Sequence, residues 1–332
     1  MPDAEQISRR IKLRQLNVLM AVTRLGSMAK AAEHLAVSQP VVSKAIGDLE
    51  GLLGVRLLDR GPYGVEPTPH GRALLKRCIG IFDELRTSVG ELEFLSNPDA
   101  GEIRIGCEET LATGLLPALI DRLSRRHPRF TYEIVIADPT TLRERDLRGR
   151  NVDVALMRTE ASDNDAAFNT LVLYSDRLHV VAGAKNPWAH RRKIALADLL
   201  NERWCLPPAD HPVGSMVLEA FRRSGLPPPP RSVTVGSAQC TSNLVAKGMF
   251  LGVHGRMFLR FNPPSVRLKV LPVELPNSAS PVSIVTLKAR MPGPLAKIFM
   301  DCAREVTKAV AEDRGAVVSR SGARAAKLRA AH

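Results

Sequence analysis

Apolar side chains near the start of the chain recur at Leu13, Leu16, Leu19 or Met20, and Val22, the spacing of one helical face. Gly26 closes that helix. Ser27 is placed to cap a second one over 28–35, rich in the helix former alanine. A short break at 36–38 follows. Ser38 is a further capping residue, and Pro40 falls in the first turn of a third helix, where its missing N–H costs nothing. Within this third helix Val42, Ile46, Leu49 and Leu53 make one buried stripe. At about 100° per residue, Pro40, Ser43, Lys44, Gly47 and Gly51 fall on the opposite side.

That outer face is small, polar and basic, and the two helices are joined by a tight turn. The combination predicts a helix-turn-helix over about 28–47, whose second helix enters a major groove. Gln39 has the amide geometry to read adenine, Ser43 can serve several bases, and Lys44 suits a phosphate. A polar outer face is equally the mark of a merely solvated helix. The next stretch tips the balance. Residues 57–68 form two short arms around a Gly/Pro tip, a hairpin wing. Thr68-Pro69 then reads as cap and first-turn proline of a fourth helix.

This fourth helix runs from Gly71 to about Leu95. Leu75, Cys78, Phe82, Leu85, Val89 and Leu92 alternate spacings of three and four, a heptad seam. One amphipathic helix packed inside its own chain would show the same pattern. A helix pairing two subunits is favoured, because a helix-turn-helix ordinarily reads two half-sites. After a hinge at 97–101, strand and helix patterns alternate as βαβαβ over 103–157, the grammar of a parallel sheet. A helix over 111–126 with a bend at Pro117, and another over 142–150, belong to this set. Further strands are expected at 177–182, 232–235, 251–254 and 281–287, with helices at 213–224, 237–248 and 294–310.

The 332 residues favour two or three packed units. Lys plus Arg is 47 against 34 Asp plus Glu, a net +13 that fits a polyanionic partner. Only 4% of residues are aromatic, which argues against a stacking-type single-strand binder. No apolar run approaches the roughly 18–20 residues of a membrane helix, and no secretory signal is recognisable. The five cysteines are odd in number and widely spaced, so reduced thiols and a cytoplasmic location are expected. The common nucleotide, nucleophile and zinc-protease motifs are absent, and no histidine pairs at metal-ligand spacing. No enzyme activity, catalytic residue, cofactor or metal is therefore expected.

The run LRQLNVLMAVTRLGSMAKAAEHLAVSQPVVSKAIGDLEGLLGVRLLDR, followed by GVEPTPHG, resembles the LysR-type transcriptional regulators. Ser38-Gln39-Pro40, Val42-Ser43, Leu49-Glu50, Leu53-Gly54 and Pro67-Thr68 match in order and spacing. The resemblance implies that Gln39, Pro40 and Ser43 face bases and that Arg60, Pro67 and Thr68 are wing contacts. With Ser27, Ser38 and Lys44 they complete the candidate DNA-binding set. Three departures stand out. Leu58 replaces a frequent Phe, Tyr63 a frequent Arg before Gly-Val, and Gly47 a frequent Arg, so site preference and salt dependence could differ. The resemblance further implies dimerisation through the linker helix at 71–97, pairs of dimers, and contact with RNA polymerase as an open expectation.

Residues 101–310 resemble the effector-binding domain of the same regulators, two α/β lobes like those of periplasmic solute-binding proteins. The landmarks are Arg104-Ile105-Gly106, Leu115-Leu116-Pro117, Asp153-Val154-Ala155 and Leu178-His179-Val180-Val181. Lobe one is expected at 101–160 plus 268–310 and lobe two at 161–267, with crossings near 160–167 and 262–267. A flexible basic tail is expected over 311–332.

In open sheets ligands sit at the carboxyl ends of strands. That nominates Cys107, Glu108, Glu109, Thr110 and Arg158 from one lobe, and Pro207, Ser237, Gln239, Val253 and His254 from the other. Helix N-termini at Thr110 and Ser237, with Arg158, favour an anion. Glu108 and Glu109 do not, and stand where family members often carry small neutral residues. They suit an amine or a sugar's hydroxyls, or simply complement a helix dipole. Cys107 near a helix N-terminus could be acidic, but most simply fills space.

The fold class expected is a multidomain chain, an all-α winged helix-turn-helix (11–70) plus linker helix, then a two-lobed α/β effector domain. The function expected is sequence-specific binding of double-stranded promoter DNA, modulated by a small-molecule effector in the inter-lobe cleft. The rivals are a solute-binding protein without specific DNA recognition, and an enzyme using the cleft.

Overall fold

The computed structural model describes residues 9–61, 64–160, 165–261 and 267–312. The chain divides into two compact units, Met1–Val89 and Gly90–His332. Tyr63 and the tip of the wing, parts of both expected crossings, and the tail from 313 onward lie outside the described residues.

The first unit opens with α1 (Leu13–Leu25), α2 (Met28–His34) and α3 (Gln39–Leu53). Gly26 ends α1 at φ 65°, a left-handed conformation that glycine adopts without strain. The Ser27 hydroxyl accepts the Lys30 N–H at 3.4 Å and so starts α2. Ser38 occupies the cap position of α3, but its side chain makes no capping bond. The expected stripe is the core: Val42, Ile46 and Leu49 are buried against Leu16, Leu19, Val22 and Ala31. Strands β1 (Leu58–Gly61) and β2 (Gly64–Pro67) form the antiparallel wing. It is fastened to α3 by the Glu50 carboxylate, which accepts the N–H groups of Leu57 at 2.7 Å and Leu58 at 3.2 Å. Leu58, the departure from Phe, is buried in this core, as a packing substitution should be.

Helix α4 (Pro69–Ser96) begins at the proline that follows the Thr68 cap. Its heptad seam divides. Leu75, Cys78 and Phe82 pack into the core of the first unit, so this half answers to the intrachain alternative. Leu85, Val89 and Leu92 are exposed at 46%, 47% and 64%. Unmet apolar surface at helical spacing is what a partner helix covers.

The second unit holds nine paired strands among the described residues: β3 (Ala100–Cys107), β4 (Arg129–Ile136), β5 (Val154–Arg158), β6 (Phe168–Gly183), β7 (Trp204–Leu206), β8 (Arg231–Thr234), β9 (Leu251–Gly255), β10 (Leu268–Val270) and β11 (Ala279–Leu287). They run β4-β3-β5-β11-β6-β9-β7-β8, with β10 also on β6. The β4-β3-β5 segment is parallel, as the βαβαβ pattern requires. One lobe is cored by Ile103, Ile105, Leu119, Leu156, Ile284 and Phe299, the other by Leu178, Val180, Trp204, Phe221 and Leu251.

The lobe boundaries need correction. Strand β6 traverses both lobes, pairing with β11 up to Arg177 and with β9 from Leu178. Leu171 and Leu173 pack on the first core, whereas Leu271 and Leu275 lie in the second. The crossings therefore fall near 177–178 and 276–279. Lobe one is 100–177 plus 279–312, and lobe two is 178–278. The expected boundaries at 160–167 and 262–267 fail because one sixteen-residue strand continues from lobe to lobe.

Two helices also differ in detail. The helix expected over 111–126 is broken into α5 (Glu109–Ala112) and α6 (Leu115–Arg126) at Gly114, where a Cβ would stand 3.1 Å from the Phe258 Cα. Pro117 lies in the first turn of α6 and bends nothing. The helix expected over 142–150 starts earlier, as α7 (Pro139–Thr141) capped by Asp138, and widens into a π-helix over Leu142–Leu147. The remaining helices are α8 (Pro212–Arg223), α9 (Ala238–Ala246), α10 (Arg256–Phe261) and α11 (Pro294–Glu312), with single 3₁₀ turns at Pro187–His190 and Leu196–Leu199.

Candidate functional site

Helix α3 presents its first two turns outward. Ser38, Gln39, Pro40 and Lys44 are exposed, and Ser43 is half-buried. Val41 is 40% exposed on the same face. An exposed apolar side chain beside an amide suits the methyl group of thymine, a role that the face arithmetic overlooked. Arg60 reaches back from the wing, and its Nη2 stands 3.4 Å from the Ser43 Oγ. The wing and the helix thus share one polar surface. Pro67 is half-buried, and its carbonyl accepts from Arg72 at 2.6 Å.

Thr68 does not belong to that surface. It is buried, its hydroxyl donates to the Arg56 carbonyl at 2.8 Å, and it accepts the Gly71 N–H at 3.0 Å. Both bonds hold the wing to the start of α4, so Thr68 acts as the cap expected and not as a wing contact. Ser27 is likewise engaged in capping α2.

In the second unit a narrow cleft lies between the lobes. Thr110 and Arg158 line it from lobe one. Pro207, Ala238, Thr241, Val253, His254 and Phe258 are among the residues that line it from lobe two. The ends of β5, β7 and β9, with helices α5, α9 and α10, thus deliver these side chains, as a ligand site at strand termini requires.

Arg158 is the buried charge at the bottom. It is 4% exposed, and its Nη2 donates to Asp176 Oδ2 at 2.8 Å. Its Nε lies 3.7 Å from Glu108 Oε1, and its backbone N–H donates to Glu108 Oε2 at 2.9 Å. Burial works to lower the Arg158 pKa, but Asp176 and Glu108 outweigh it and hold the guanidinium charged. Gly255 lets the backbone pass over this pair: a Cβ there would lie 2.0 Å from Asp176 Oδ2.

His254 is buried without a charged partner, which pushes its pKa down to about 3. Its Nε2 stands 3.0 Å from the Ser242 Oγ, while the Ser242 hydroxyl donates to the Ala238 carbonyl at 2.9 Å. A hydroxyl has one hydrogen to give, so His254 is the donor and carries its proton on Nε2. Its ring stacks on Phe258 with centroids 4.1 Å apart.

Several expected ligand contacts sit elsewhere. Cys107 is fully buried in the lobe-one core, away from the cleft lining. Burial, followed by the neighbouring Glu108, holds its thiol well above the usual range, so it is not an acidic thiol. Glu108 is buried behind Arg158 and bonded by the Thr110 hydroxyl at 2.9 Å. Gln239 turns to Asn243, its Nε2 3.4 Å from that Oδ1, and does not line the cleft. Glu109 crosses to lobe two. Its carboxylate accepts the Ala238 N–H at 2.8 and 3.0 Å and the Ser237 hydroxyl at 3.1 Å. Thr110, Arg158, Pro207, Val253 and His254 do come together. Among the described residues no His/Cys/Asp/Glu group could hold a metal ion, and no helix is long and apolar enough to cross a membrane.

Residues 13–72 match the family model described as "Bacterial regulatory helix-turn-helix protein, lysR family", and residues 96–308 match "LysR substrate binding domain". The chain belongs to the LysR family. It is similar to the HTH-type transcriptional regulator GbpR of Azospirillum brasilense, at 29% identity over 89% of this chain and 86% of that one. A full-length OxyR variant from Pseudomonas aeruginosa shares the fold at a TM-score of 0.64 and 24% identity, covering 89% of this chain and 95% of that one. Full-length CbnR complexed with its target DNA does so at 0.52 and 22%, covering 90% of this chain and all of that one. This LysR-type protein is therefore a DNA-binding transcriptional regulator whose promoter binding responds to a small-molecule effector in its two-lobed domain.

Asp176, Gly255, Thr241 and Phe258 help to build the LysR cleft but escaped the sequence reading. Asp176 lay hidden because the strand was expected to begin only at Arg177. The β-forming run Thr170 to Tyr174 is the signal that could have extended it.

Proposed function

We propose that this regulator is a homodimer, paired through the exposed half of α4 and assembled further into a dimer of dimers. It acts in the cytoplasm, where reduced cysteines and promoter DNA coexist. Gln39, Pro40, Ser43 and Lys44 contact the operator through the major groove, helped by Val41, with Ser38 at the helix start. Arg60 and Pro67 follow the adjacent backbone or minor groove, and Ser27 stands near a phosphate as well as capping α2. Thr110, Arg158, Pro207, Val253 and His254 contact the effector. Effector and DNA are linked through assembly state: the ligand binds one arrangement of subunits better than another, and so changes the spacing between half-sites. The outcome is read by RNA polymerase, and the protein acts by binding rather than by turnover.

The observation that carries this reading is the division of α3. Val42, Ile46 and Leu49 lock it to the core while Gln39, Pro40, Val41 and Lys44 stand exposed on its first turns. Footprinting on DNA flanking the protein's own gene, at fixed moderate salt with competitor DNA, is the test. A roughly symmetric protected site is expected. Absence of protection there and in a randomised-duplex selection would overturn it.

A further inference from the structure

We propose that Glu109 is a tethered ligand filling the anion-binding end of the inter-lobe cleft, so that the effector is a neutral molecule presenting hydroxyl or carbonyl oxygen to Arg158. The inference rests on the reading that the effector binds between the lobes.

The N-terminus of α9 is an anion cradle: a free backbone N–H at Ala238, a hydroxyl at Ser237, and the positive end of the helix dipole. It is already occupied. Both oxygens of Glu109, carried on the other lobe, lie within 3.0 Å of the Ala238 nitrogen, and Oε1 also takes the Ser237 hydroxyl. Ser237 Oγ in turn accepts the Cys240 N–H at 3.3 Å, so the cap is complete. Charge-assisted bonds of this kind are among the stronger ones in proteins. A carboxylate arriving with an effector would have to expel one that is covalently held at high effective concentration.

The remaining charges point the same way. Arg158 is the cation that lines the cleft, and it is matched by Asp176 at 2.8 Å and Glu108 at 3.7 Å. Two buried carboxylates against one guanidinium repel a further anion. Yet the Arg158 Nε and Nη1 hydrogens find no acceptor. Unmet donors on a buried side chain call for an oxygen without calling for a charge. Around them Val213, Val253 and Phe258 supply apolar surface.

The test uses full-length protein, with formate and acetate as probes and acetamide and chloride as controls at constant ionic strength. Glu109→Ala is expected to lower the thermal midpoint, and formate or acetate to restore it saturably, while acetamide and chloride do not. The wild type is expected to ignore formate, acetate and chloride. A folded Glu109→Ala protein indifferent to formate, or a wild type stabilised by acetate as strongly as the variant, would overturn the proposal. Should Glu109→Ala not fold, Glu109→Gln keeps the shape and removes the charge. Hydrogen exchange at the peptide around Ala238 should then quicken by roughly tenfold, the loss of one charge-assisted bond. Unchanged exchange would overturn the assignment. So would any carboxylate that stabilises the wild type and further slows exchange there. Formate rescue without any ligand-dependent footprint would leave Glu109 assigned and remove the effector reading instead.

Discussion

The Arg158 guanidinium meets the Asp176 carboxylate at 2.8 Å, with both side chains at most 3% exposed, at the point where β6 passes from one lobe to the other. Breaking a buried pair leaves one charge stranded, at a cost of about 3–5 kcal/mol. Asp176→Leu should therefore lower the stability of the second unit by that order in urea titrations. The double replacement Arg158→Met with Asp176→Leu should cost less than the sum of the two single replacements, because each single change already breaks the same pair, although Glu108 also loses its cation in the double variant. Additive losses in the double variant would show that the pair is not coupled. Gly255→Ala changes no charge, but its Cβ would lie 2.0 Å from Asp176 Oδ2. We expect about 1–3 kcal/mol of destabilisation from that intrusion alone.

How much of this was legible beforehand follows from the range of the interactions involved. The stripe Val42, Ile46, Leu49 and the stop at Gly26 are local, set within a few residues by helical period and by glycine's freedom at φ 65°. They stood in the sequence and stand in the fold. The lobe boundary did not, because β6 changes partners from β11 to β9 without any break in its own backbone. No turn residue marks a change of neighbour. Glu109 was seen as a carboxylate at the mouth of the cleft, but its partner Ala238 lies 129 positions away. Only the folded chain brings that helix end to it.

His254 gives the regulator a particular response to acid. Burial lowers its pKa to about 3 from an ordinary 6.5. The unfolded chain takes up a proton below about pH 6.5 that the native chain refuses. Its contribution is therefore complete above that pH and is lost as the pH falls toward 3. The slope is about 1.4 kcal/mol per unit within that window. Urea midpoints measured between pH 7 and 5 should fall faster for the wild type than for His254→Gln. His179, also lowered chiefly by burial, leaves a residual slope in the variant. Parallel pH profiles for the two proteins would show that His254 is protonated in the native state.

The two halves of the α4 seam predict opposite phenotypes. Phe82 packs half-buried against the first-unit core, so Phe82→Ala should cost about 1–3 kcal/mol of folding stability. Leu85 and Val89 are close to half exposed. Replacing both with Glu should leave the monomer's stability within about 0.5 kcal/mol, the range of ordinary surface changes. It should nevertheless shift sedimentation from dimer to monomer and weaken binding to a symmetric duplex. A double variant that remains dimeric would place the subunit interface elsewhere.

The exposed turns of α3 allow specificity to be separated from affinity. Gln39 and Lys44 stand on the same outward face, yet an amide and an ammonium use DNA differently. A bidentate amide contact to adenine discriminates by about 1–3 kcal/mol at one base pair. Gln39→Ala should therefore flatten the preference at one position of each half-site and leave the others intact. An ammonium on a phosphate carries no sequence information. Lys44→Ala should weaken binding about equally on all duplexes and reduce the dependence of log affinity on log salt by about one. Gly47 carries no cation where a guanidinium could reach the backbone, and it stands exposed, with open space where a Cβ would point. Gly47→Arg should therefore be tolerated by the fold and raise both affinity and salt slope. Equal sequence dependence in Gln39→Ala and Lys44→Ala would mean that α3 does not lie in the groove as proposed.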